Sequence, residues 1–334
     1  MGKHLCFTVA DRSYFALLKK EIHVLAVKAG FSDNKVGEVD IIVAEMVSNL
    51  VKHAGGGRLL VKLVEEQHIE GIEFISIDDG DGIADLNRMM TDGASTTNTL
   101  GHGLGAIRRL SNLFQVYSQK DWGTIMLSRL FKEELPYQKK ANEIRSVVVS
   151  KPGEEKCGDA FHCRIGSHAI RLFLGDGLGH GAEAALAVNS AIQIFKTRKD
   201  DSAVDIIKEL HRGVRKTRGL VGTVALYLKE EKRWRICGVG NICTRLINGI
   251  ELKNNMSYNG IIGHNIPNSM KDQEVDAENA QVILLCSDGI RTKWDLMKYP
   301  GILKHDLSIL AACIFKDHAR HTDDMSVVAV RLNY

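Results

Sequence analysis

Four aspartates in the second half of the chain lie in short, turn-like contexts that favour metal binding. They are Asp159 in "CGDAF", Asp176 in "GDGLGHG", Asp288 in "CSDGI" and Asp323 in "TDDMSVV". Acids at strand ends with glycine beside them can converge at the rim of a sheet, and such oxygen ligands suit Mg²⁺ or Mn²⁺ better than zinc. Two ions about 4 Å apart can activate a water and bind a phosphoryl oxygen. The four acids therefore predict metal-assisted hydrolysis without a covalent nucleophile.

Two neighbouring residues leave alternatives for this metal site. His180 lies in the same glycine-rich stretch as Asp176 and is an alternative ligand. Asp324 directly follows Asp323, and either could supply the last carboxylate. Because Asp–Gly pairs are also common turns, the prediction depends on the four acids occurring together.

The first half of the chain carries a different set of polar residues on a predicted helix. Glu45, Asn49 and His53 are spaced at i, i+4 and i+8, so they share one stripe beside the apolar face. An asparagine on such a stripe can provide an oxygen ligand for Mg²⁺. The stripe could also be a solvated flank, and its interpretation therefore depends on the segments that follow.

Two glycine-rich segments follow that helix in the order expected for a nucleotide pocket. D-x-G-x-G runs from Asp78 through Gly80 to Gly82, and G-x-G-x-G runs from Gly101 through Gly103 to Gly105. A carboxylate at a strand end can accept a hydrogen bond from the adenine amino group. Glycines permit close backbone approach, and amides at a helix start favour phosphate oxygens. Together with Asn49, these segments predict an ATP site with a lid over Ala84–Leu100.

The hydrophobic pattern predicts elements that position both sites in an α+β chain. Apolar residues from Val39 to Leu50 recur with helical spacing, so Ser32–Lys52 is predicted to be a helix that ends at "AGGG". In the first half we also predict the strands "RLLVKLVEE", "GIEFISIDDG" and "GTIMLSRLF" and a helix at "AIRRLSNLF". In the second half we predict the strands "AIRLFLGDG", "GTVALYL", "RWRICGVG", "QVILLCSDG" and "MSVVAVRL", and helices over Ala182–Phe195, Ala203–Thr217 and Leu307–Phe315.

Composition sets the wider limits. A chain of 334 residues favours two domains, and the charged segment around Pro136 is the best boundary. The predicted division is 1–135, a linker at 136–142, and 143–334. The net charge of +3 gives no electrostatic case for nucleic-acid binding. No apolar run reaches the roughly 20 residues of a membrane span. Seven singly spaced cysteines and no signal peptide favour a reducing cytoplasm.

Three segments resemble the N box and the two glycine boxes of the GHKL ATPase and kinase superfamily: "EMVSNLVKHAGGG", "DDGDGI" and "GHGLGAIRRL". Their compact form resembles RsbT-like switch serine kinases and anti-sigma kinases. The resemblance covers residues 1–135 and implies an α/β sandwich with a Bergerat-type ATP pocket. It implies that Asn49 binds Mg²⁺, Asp78 binds adenine, and Glu45 is the general base or positions the nucleophile. It also implies that five glycines shape the pocket: Gly80, Gly82, Gly101, Gly103 and Gly105. A histidine kinase is the nearest rival, but too few residues precede the Ser32 helix for its phosphoacceptor helix.

The ordered motifs "GD", "GDG", "SDG" and "DDMS" resemble the metal-dependent serine/threonine phosphatases of the type 2C fold, especially the SpoIIE/RsbX-type bacterial branch. The resemblance covers residues 143–334 and implies an αββα sandwich that binds two Mn²⁺ or Mg²⁺. It implies that Asp176, Asp288 and Asp323, preferred to Asp324, are metal ligands in the catalytic site. Asp159 is then a ligand or supporting acid, and Gly177 offers its backbone carbonyl. No obvious phosphate-binding arginine precedes Asp159, which fits the bacterial branch but leaves the phosphate contacts of the substrate unassigned.

Together the two resemblances imply a bifunctional switch regulator. Its substrate would be a serine or threonine on a STAS-domain anti-sigma antagonist protein, and a sigma factor is a further expected partner. Two alternatives remain for the first domain. It could only sense ATP for a one-way phosphatase, or it could sequester a sigma factor without catalysis.

Overall fold

The computed structural model describes residues 2–10, 14–83, 103–136, 142–249, 251–279 and 281–332. The chain forms two compact units: His4–Lys139, and Lys140–Tyr334 together with Met1–Lys3. The predicted lid, Gly101 and most of the predicted linker lie outside the described residues. Among the helices that are described, none is long and apolar enough to cross a membrane.

The amino-terminal unit packs helices on one face of a five-stranded antiparallel sheet with the strand order β1-β2-β3-β5-β4. Its strands are Leu5–Val9 (β1), Gly57–Glu66 (β2), Ile69–Ile77 (β3), Leu113–Gln119 (β4) and Gly123–Phe131 (β5). Its described helices are Phe15–Lys28 (α1), Asp33–Ala54 (α2) and Gly103–Leu110 (α3). Apolar side chains from all three helices and the sheet form one core, which makes this unit the predicted α/β sandwich.

Helix α2 carries the predicted polar stripe and has defined ends. The Ser32 hydroxyl caps its start by accepting the Lys35 N–H at 3.4 Å, and Gly55 ends it in a left-handed conformation with φ 67°. Met46, Val47 and Leu50 are fully buried between these ends. Because the buried stripe fixes the rotation of the helix, Glu45 and Asn49 are held at its edge.

The predicted helix at "AIRRLSNLF" was too long. The helix ends at Leu110, and Leu113 begins strand β4. Asn112 explains the change: its N–H donates to the Arg129 carbonyl, and its side-chain Oδ1 accepts the Phe131 N–H, each at 2.9 Å. These long-range bonds to β5 override the local helical pattern.

The carboxy-terminal unit contains two five-stranded antiparallel sheets with the orders β13-β10-β9-β8-β7 and β12-β11-β14-β15-β6. Its strands are Glu143–Val149 (β6), Asp159–Ile165 (β7), Ala169–Gly177 (β8), Leu220–Leu228 (β9), Arg233–Val239 (β10), Cys243–Asn248 (β11), Glu251–Asn255 (β12), Gln273–Asp276 (β13), Val282–Cys286 (β14) and Met325–Arg331 (β15). Its helices of more than one turn, within the described residues, are Ala182–Thr197 (α4), Ala203–Gly213 (α5) and Leu307–His318 (α6).

Two cores define the layers of this unit. One lies between the sheets and includes Phe161 and Leu172 from one sheet and Leu285 and Val328 from the other. A second core joins α4 and α5 to the outer face of the first sheet, while α6 packs on β6 and β15 of the second. The predicted αββα sandwich is confirmed. Helix α5 ends at Gly213 rather than at Thr217, because the chain then turns and the Thr217 hydroxyl bonds the Val214 carbonyl.

Candidate functional site

The four predicted acids come from two strand pairs, one in each sheet of the carboxy-terminal unit. Asp159 and Asp176 are direct cross-strand partners on β7 and β8. Asp288 follows β14 and Asp323 precedes β15, and these strands are also neighbours. All three other acids raise the pKa of Asp176 electrostatically. The fold therefore brings the four carboxylates into one electrostatic cluster.

Burial and mutual repulsion make the ionised form of these carboxylates unfavourable when no cation is present. Burial, followed by the charges of Asp159 and Asp288, raises the pKa of Asp176 to about 10. Burial also raises the pKa of Asp159 to about 7, and Oδ1 of that residue is buried with no hydrogen-bond partner in the described part of the chain. A divalent cation would reduce the repulsion between the carboxylates and could be coordinated by Oδ1 of Asp159, so the cluster is chemically suited to hold one.

The carboxylates of the cluster are not positioned for metal coordination in this structure. In the described part of the chain, no group of three or more His, Cys, Asp or Glu side chains is positioned to hold a metal ion. Oδ2 of Asp288 accepts a hydrogen bond from Asn241 Nδ2 at 2.9 Å, and Oδ1 of Asp323 accepts the Asp324 N–H at 2.9 Å. Metal binding would require these side chains to exchange hydrogen bonds for coordination.

Sequence reasoning missed three residues that support the acids. The Ser287 hydroxyl donates to Asp159 Oδ2 at 2.6 Å and accepts the Ser326 N–H at 2.9 Å, which links the two sheets. Asn241 holds Asp288, as described above. Ser287 and Ser326 each neighbour a predicted motif, "SDG" and "DDMS", but their partners lie far away in sequence.

Asp323 and Asp324 have distinct environments. Asp324 is 2% exposed, and its two oxygens accept the N–H groups of Lys151 and Gly158, each at 2.8 Å. It therefore holds both ends of the loop that leads into β7. Asp323 is partly exposed, and its charge helps to raise the pKa of Asp288. This difference is compatible with the preference for Asp323 as the ligand, which stays a prediction.

Replacing Asp324 with alanine should destabilise the protein through the loss of two charge-assisted hydrogen bonds. We expect the free energy of unfolding to fall by about 3 kcal/mol, given roughly 1.5–3 kcal/mol for each such bond. Urea unfolding monitored by tryptophan fluorescence measures the change. Asp323→Ala is the matched control and should shift the midpoint little. An equal loss in both variants would contradict the anchoring role of Asp324.

The glycine that follows Asp176 leaves no room for a side chain. A Cβ on Gly177 would lie 2.3 Å from the Ala184 carbonyl oxygen at the start of α4. The Gly177 N–H donates to the Gly158 carbonyl at 3.0 Å, which ties this loop to the one before β7. Nδ1 of His180 lies 2.7 Å from Glu154 Oε1. That nitrogen of the alternative ligand is therefore engaged with a carboxylate.

In the amino-terminal unit, α3 begins beside the polar stripe of α2. A Cβ on Gly103 would lie 2.8 Å from Glu45 Oε2 and 3.7 Å from Asn49 Oδ1. Nδ2 of Asn49 is buried without a hydrogen-bond partner among the described residues. His53, the third member of the stripe, is exposed, and Gly105 is buried within α3. The start of α3, the Glu45 carboxylate and the Asn49 amide thus lie side by side, an arrangement suited to a polar ligand.

Asp78 is held at the end of β3. Its Oδ1 accepts the N–H groups of Gly80 and Thr124, at 2.9 and 3.0 Å, and its own N–H donates to the Thr124 carbonyl. A Cβ on Gly123 would lie 2.2 Å from the Asp78 carbonyl oxygen. The sequence reasoning identified Asp78 but missed Gly123 and Thr124. Their signal was the "GT" pair that opens β5.

Gly80 and Gly82 shape the turn after Asp78. Gly80 packs against Ala54 at the end of α2, where a Cβ would lie 3.0 Å from the Ala54 Cβ. Gly82 has φ 78°, and a Cβ there would lie 2.0 Å from the Gln119 carbonyl oxygen. A side chain at Gly82 would therefore meet both backbone strain and a direct clash. Both glycines keep the turn tight between α2 and the β4–β5 hairpin.

Family models match both halves of the chain. The histidine kinase-like ATPase domain matches residues 8–128, and stage II sporulation protein E (SpoIIE) matches residues 166–333. The second match covers half of the chain. Both predicted resemblances are thus confirmed.

Individual relatives agree with these family matches. Over 100 residues the chain is 31% identical to serine/threonine-protein kinase RsbT of Bacillus subtilis (strain 168), covering 30% of this chain and 75% of that protein. A solved structure from work on the bacterial stressosome, a modular system adapted to control secondary messenger signalling, is 27% identical. It covers 57% of this chain and 100% of its own, with a TM-score of 0.54.

Crystalline RsbX in complex with magnesium shares the fold. It is 16% identical and covers 66% of this chain and 100% of its own, with a TM-score of 0.50. The chain therefore belongs to the SpoIIE family of serine/threonine phosphatases and carries an amino-terminal histidine kinase-like ATPase domain related to the RsbT kinase.

Proposed function

We propose that the chain is a bifunctional switch regulator that adds phosphate to a serine or threonine of a partner protein and also removes it. The observation that carries the proposal is the presence in one chain of two chemically distinct sites. One is the buried acid cluster around Asp176, and the other is the group of Glu45, Asn49 and Gly103 at the start of α3.

In the phosphatase unit, Asp176, Asp288 and Asp323 would hold two Mn²⁺ or Mg²⁺ ions, with the Gly177 carbonyl and Asp159 in support. The bound ions supply a water of lowered pKa and a counter-charge for the phosphoryl group. Asp159 is fixed by the Ser287 hydroxyl, so its other oxygen is available to orient a ligand or a water. Asn241 would keep Asp288 in place until the metal binds.

In the kinase-type unit, Asn49 would bind the Mg²⁺ of Mg-ATP, and Asp78 would accept a hydrogen bond from adenine. The backbone N–H groups of Gly80 and Thr124 hold the Asp78 carboxylate in one orientation, which suits it to this task. Gly82, Gly101, Gly103 and Gly105 would let the backbone approach the triphosphate. Glu45 lies close to Gly103 and would orient the attacking hydroxyl or accept its proton.

We propose a STAS-domain anti-sigma antagonist protein as the substrate of both units. The supporting observation is the relationship to the RsbT kinase, together with structural similarity to a protein from work on the stressosome. A sigma factor is a further candidate partner. Opposed activities on one substrate would let the ATP supply and the metal supply set the phosphorylated fraction.

Phosphate transfer to and from a purified STAS-domain protein tests this function. With Mg-ATP the full chain should add phosphate to the STAS protein, and with Mn²⁺ it should remove phosphate from the phosphorylated form, as measured by mass spectrometry. Loss of phosphate without any gain would show a one-way phosphatase with an ATP-sensing or partner-binding domain. Neither gain nor loss would overturn the proposal.

A further inference from the structure

The acid cluster has no assigned group for the phosphate of a substrate. The cluster consists of carboxylates, and the sequence offers no obvious phosphate-binding arginine before Asp159, since Arg145 lies beside Asp306. A phosphomonoester carries about two negative charges near neutral pH, so a cationic side chain beside the metal ligands is expected. The need for such a group rests on the phosphatase function proposed above.

A short stretch of paired backbone brings one arginine next to Asp288. The Arg320 N–H donates to the Gly289 carbonyl at 2.8 Å, and the Arg291 N–H donates to the His318 carbonyl at 2.8 Å. Ile290 and Ala319 form the antiparallel bridge between these two bonds. Arg320 thus lies opposite the residue after Asp288 and three positions before Asp323, while Arg291 lies at the far end of the bridge.

The two arginines also differ in the groups whose pKa they influence. Burial and the charge of Asp323 raise the pKa of Asp288, and the Asn241 hydrogen bond and the Arg320 charge oppose this shift. Arg291 instead acts on His318, whose pKa it helps to lower beside the larger effect of burial. The charge of Arg320 therefore acts on Asp288, a member of the acid cluster, whereas that of Arg291 acts on His318.

Arg320 is also available for a ligand. Its residue is exposed, and its side chain forms no hydrogen bond or ion pair within the described parts of the chain. Arg218, which borders Gly179 in the loop after Asp176, is by contrast paired with Glu183. A guanidinium presents two parallel N–H donors that match two phosphoryl oxygens, a geometry that lysine lacks.

We propose that Arg320 binds the phosphoryl group of the substrate at the metal site. It would engage two non-bridging oxygens of the phosphoryl group, whose charge the bound metal ions would also offset. Arg320 would supply this contact from the loop before β15 rather than from a position before Asp159.

Direct binding of inorganic phosphate to the Mn²⁺-loaded full chain tests this assignment. Isothermal titration calorimetry should show Arg320→Ala raising the phosphate Kd by roughly 10- to 100-fold, the effect of losing a charge-assisted contact. Arg320→Lys should recover only part of the affinity. Arg291→Ala is the matched control and should leave the Kd unchanged. Mn²⁺ affinity, measured in the same way, should not fall in any of the three variants.

Kinetics on a phosphoserine peptide provide a second readout. Arg320→Ala should raise KM and the inhibition constant of phosphate in parallel, with a smaller effect on kcat. Equal phosphate affinity in Arg320→Ala and the wild-type chain would overturn the assignment, whether or not turnover is seen. Normal phosphate binding by a wild-type chain that hydrolyses no phosphopeptide would contradict the proposed function instead. A loss of Mn²⁺ affinity in Arg320→Ala would also overturn the assignment, because it would indicate a structural role.

Discussion

Replacing Asp176 with asparagine should abolish phosphatase activity and leave the protein folded. The charges of Asp159, Asp288 and Asp323 all raise the pKa of Asp176, so Asp176 belongs to the cluster that forms the predicted metal site. Metal ions contribute several kcal/mol to the transition state, and about 1.4 kcal/mol corresponds to a factor of ten in rate. We therefore expect kcat/KM on a phosphopeptide with Mn²⁺ to fall by at least ~10³-fold. Asp205→Asn, on the exposed face of α5, is the control.

The same substitution should stabilise the metal-free protein. In the folded state, burial and neighbouring charges raise the pKa of Asp176 to about 10, against an ordinary value of 3.8. A raised pKa in an acid means that folded-state stability is lost as the pH rises from about 4 through about 10. In EDTA at pH 7, Asp176→Asn should therefore have the higher Tm, and the difference should disappear below pH 4. An inactive variant with a lower Tm would indicate misfolding rather than loss of a ligand.

Asp78→Asn should weaken ATP binding by the amino-terminal unit. The amide can keep the contacts that Oδ1 makes with Gly80 and Thr124, but the carboxylate that would accept the adenine N–H is lost. Loss of a hydrogen bond to a charged group corresponds to a rise in Kd of roughly 10- to 100-fold. Titration calorimetry with Mg-ATP measures it, and the exposed neighbour Asp79 provides the control variant Asp79→Asn.

This variant also separates the two interpretations of the amino-terminal unit. If the unit is a kinase, Asp78→Asn should stop phosphate transfer to the STAS protein and leave phosphatase activity unchanged. If the unit is a sensor, the variant should change only the response of the phosphatase to ATP. Unaltered ATP affinity in Asp78→Asn would show that Asp78 is not the adenine-binding acid.

Local patterns predicted most of the elements that carry the two sites. Helix α2 and strands β8 and β14 have strong apolar periodicity, so their existence and the position of the acids beside them could be read from the sequence. The strand β4 could not be read in this way, because Asn112 leaves the helical pattern only through bonds to β5. Strands at sheet edges, such as β7 and β12, were missed because their exposed faces weaken the alternation.

The amino-acid sequence by itself determined the chemistry: which carboxylates, amides and glycines are present, and their order along the chain. Those properties depend on residue type and local spacing. Only the tertiary structure decided which groups support them, because Ser287 meets Asp159, Asp324 meets Lys151 and Gly158, and Thr124 meets Asp78 across long sequence separations. Cross-strand register and buried hydrogen bonds make those pairings, and no local pattern encodes them. The distinction between Asp323 and Asp324, two adjacent identical residues, arises from burial and from the hydrogen bonds that Asp324 accepts from Lys151 and Gly158.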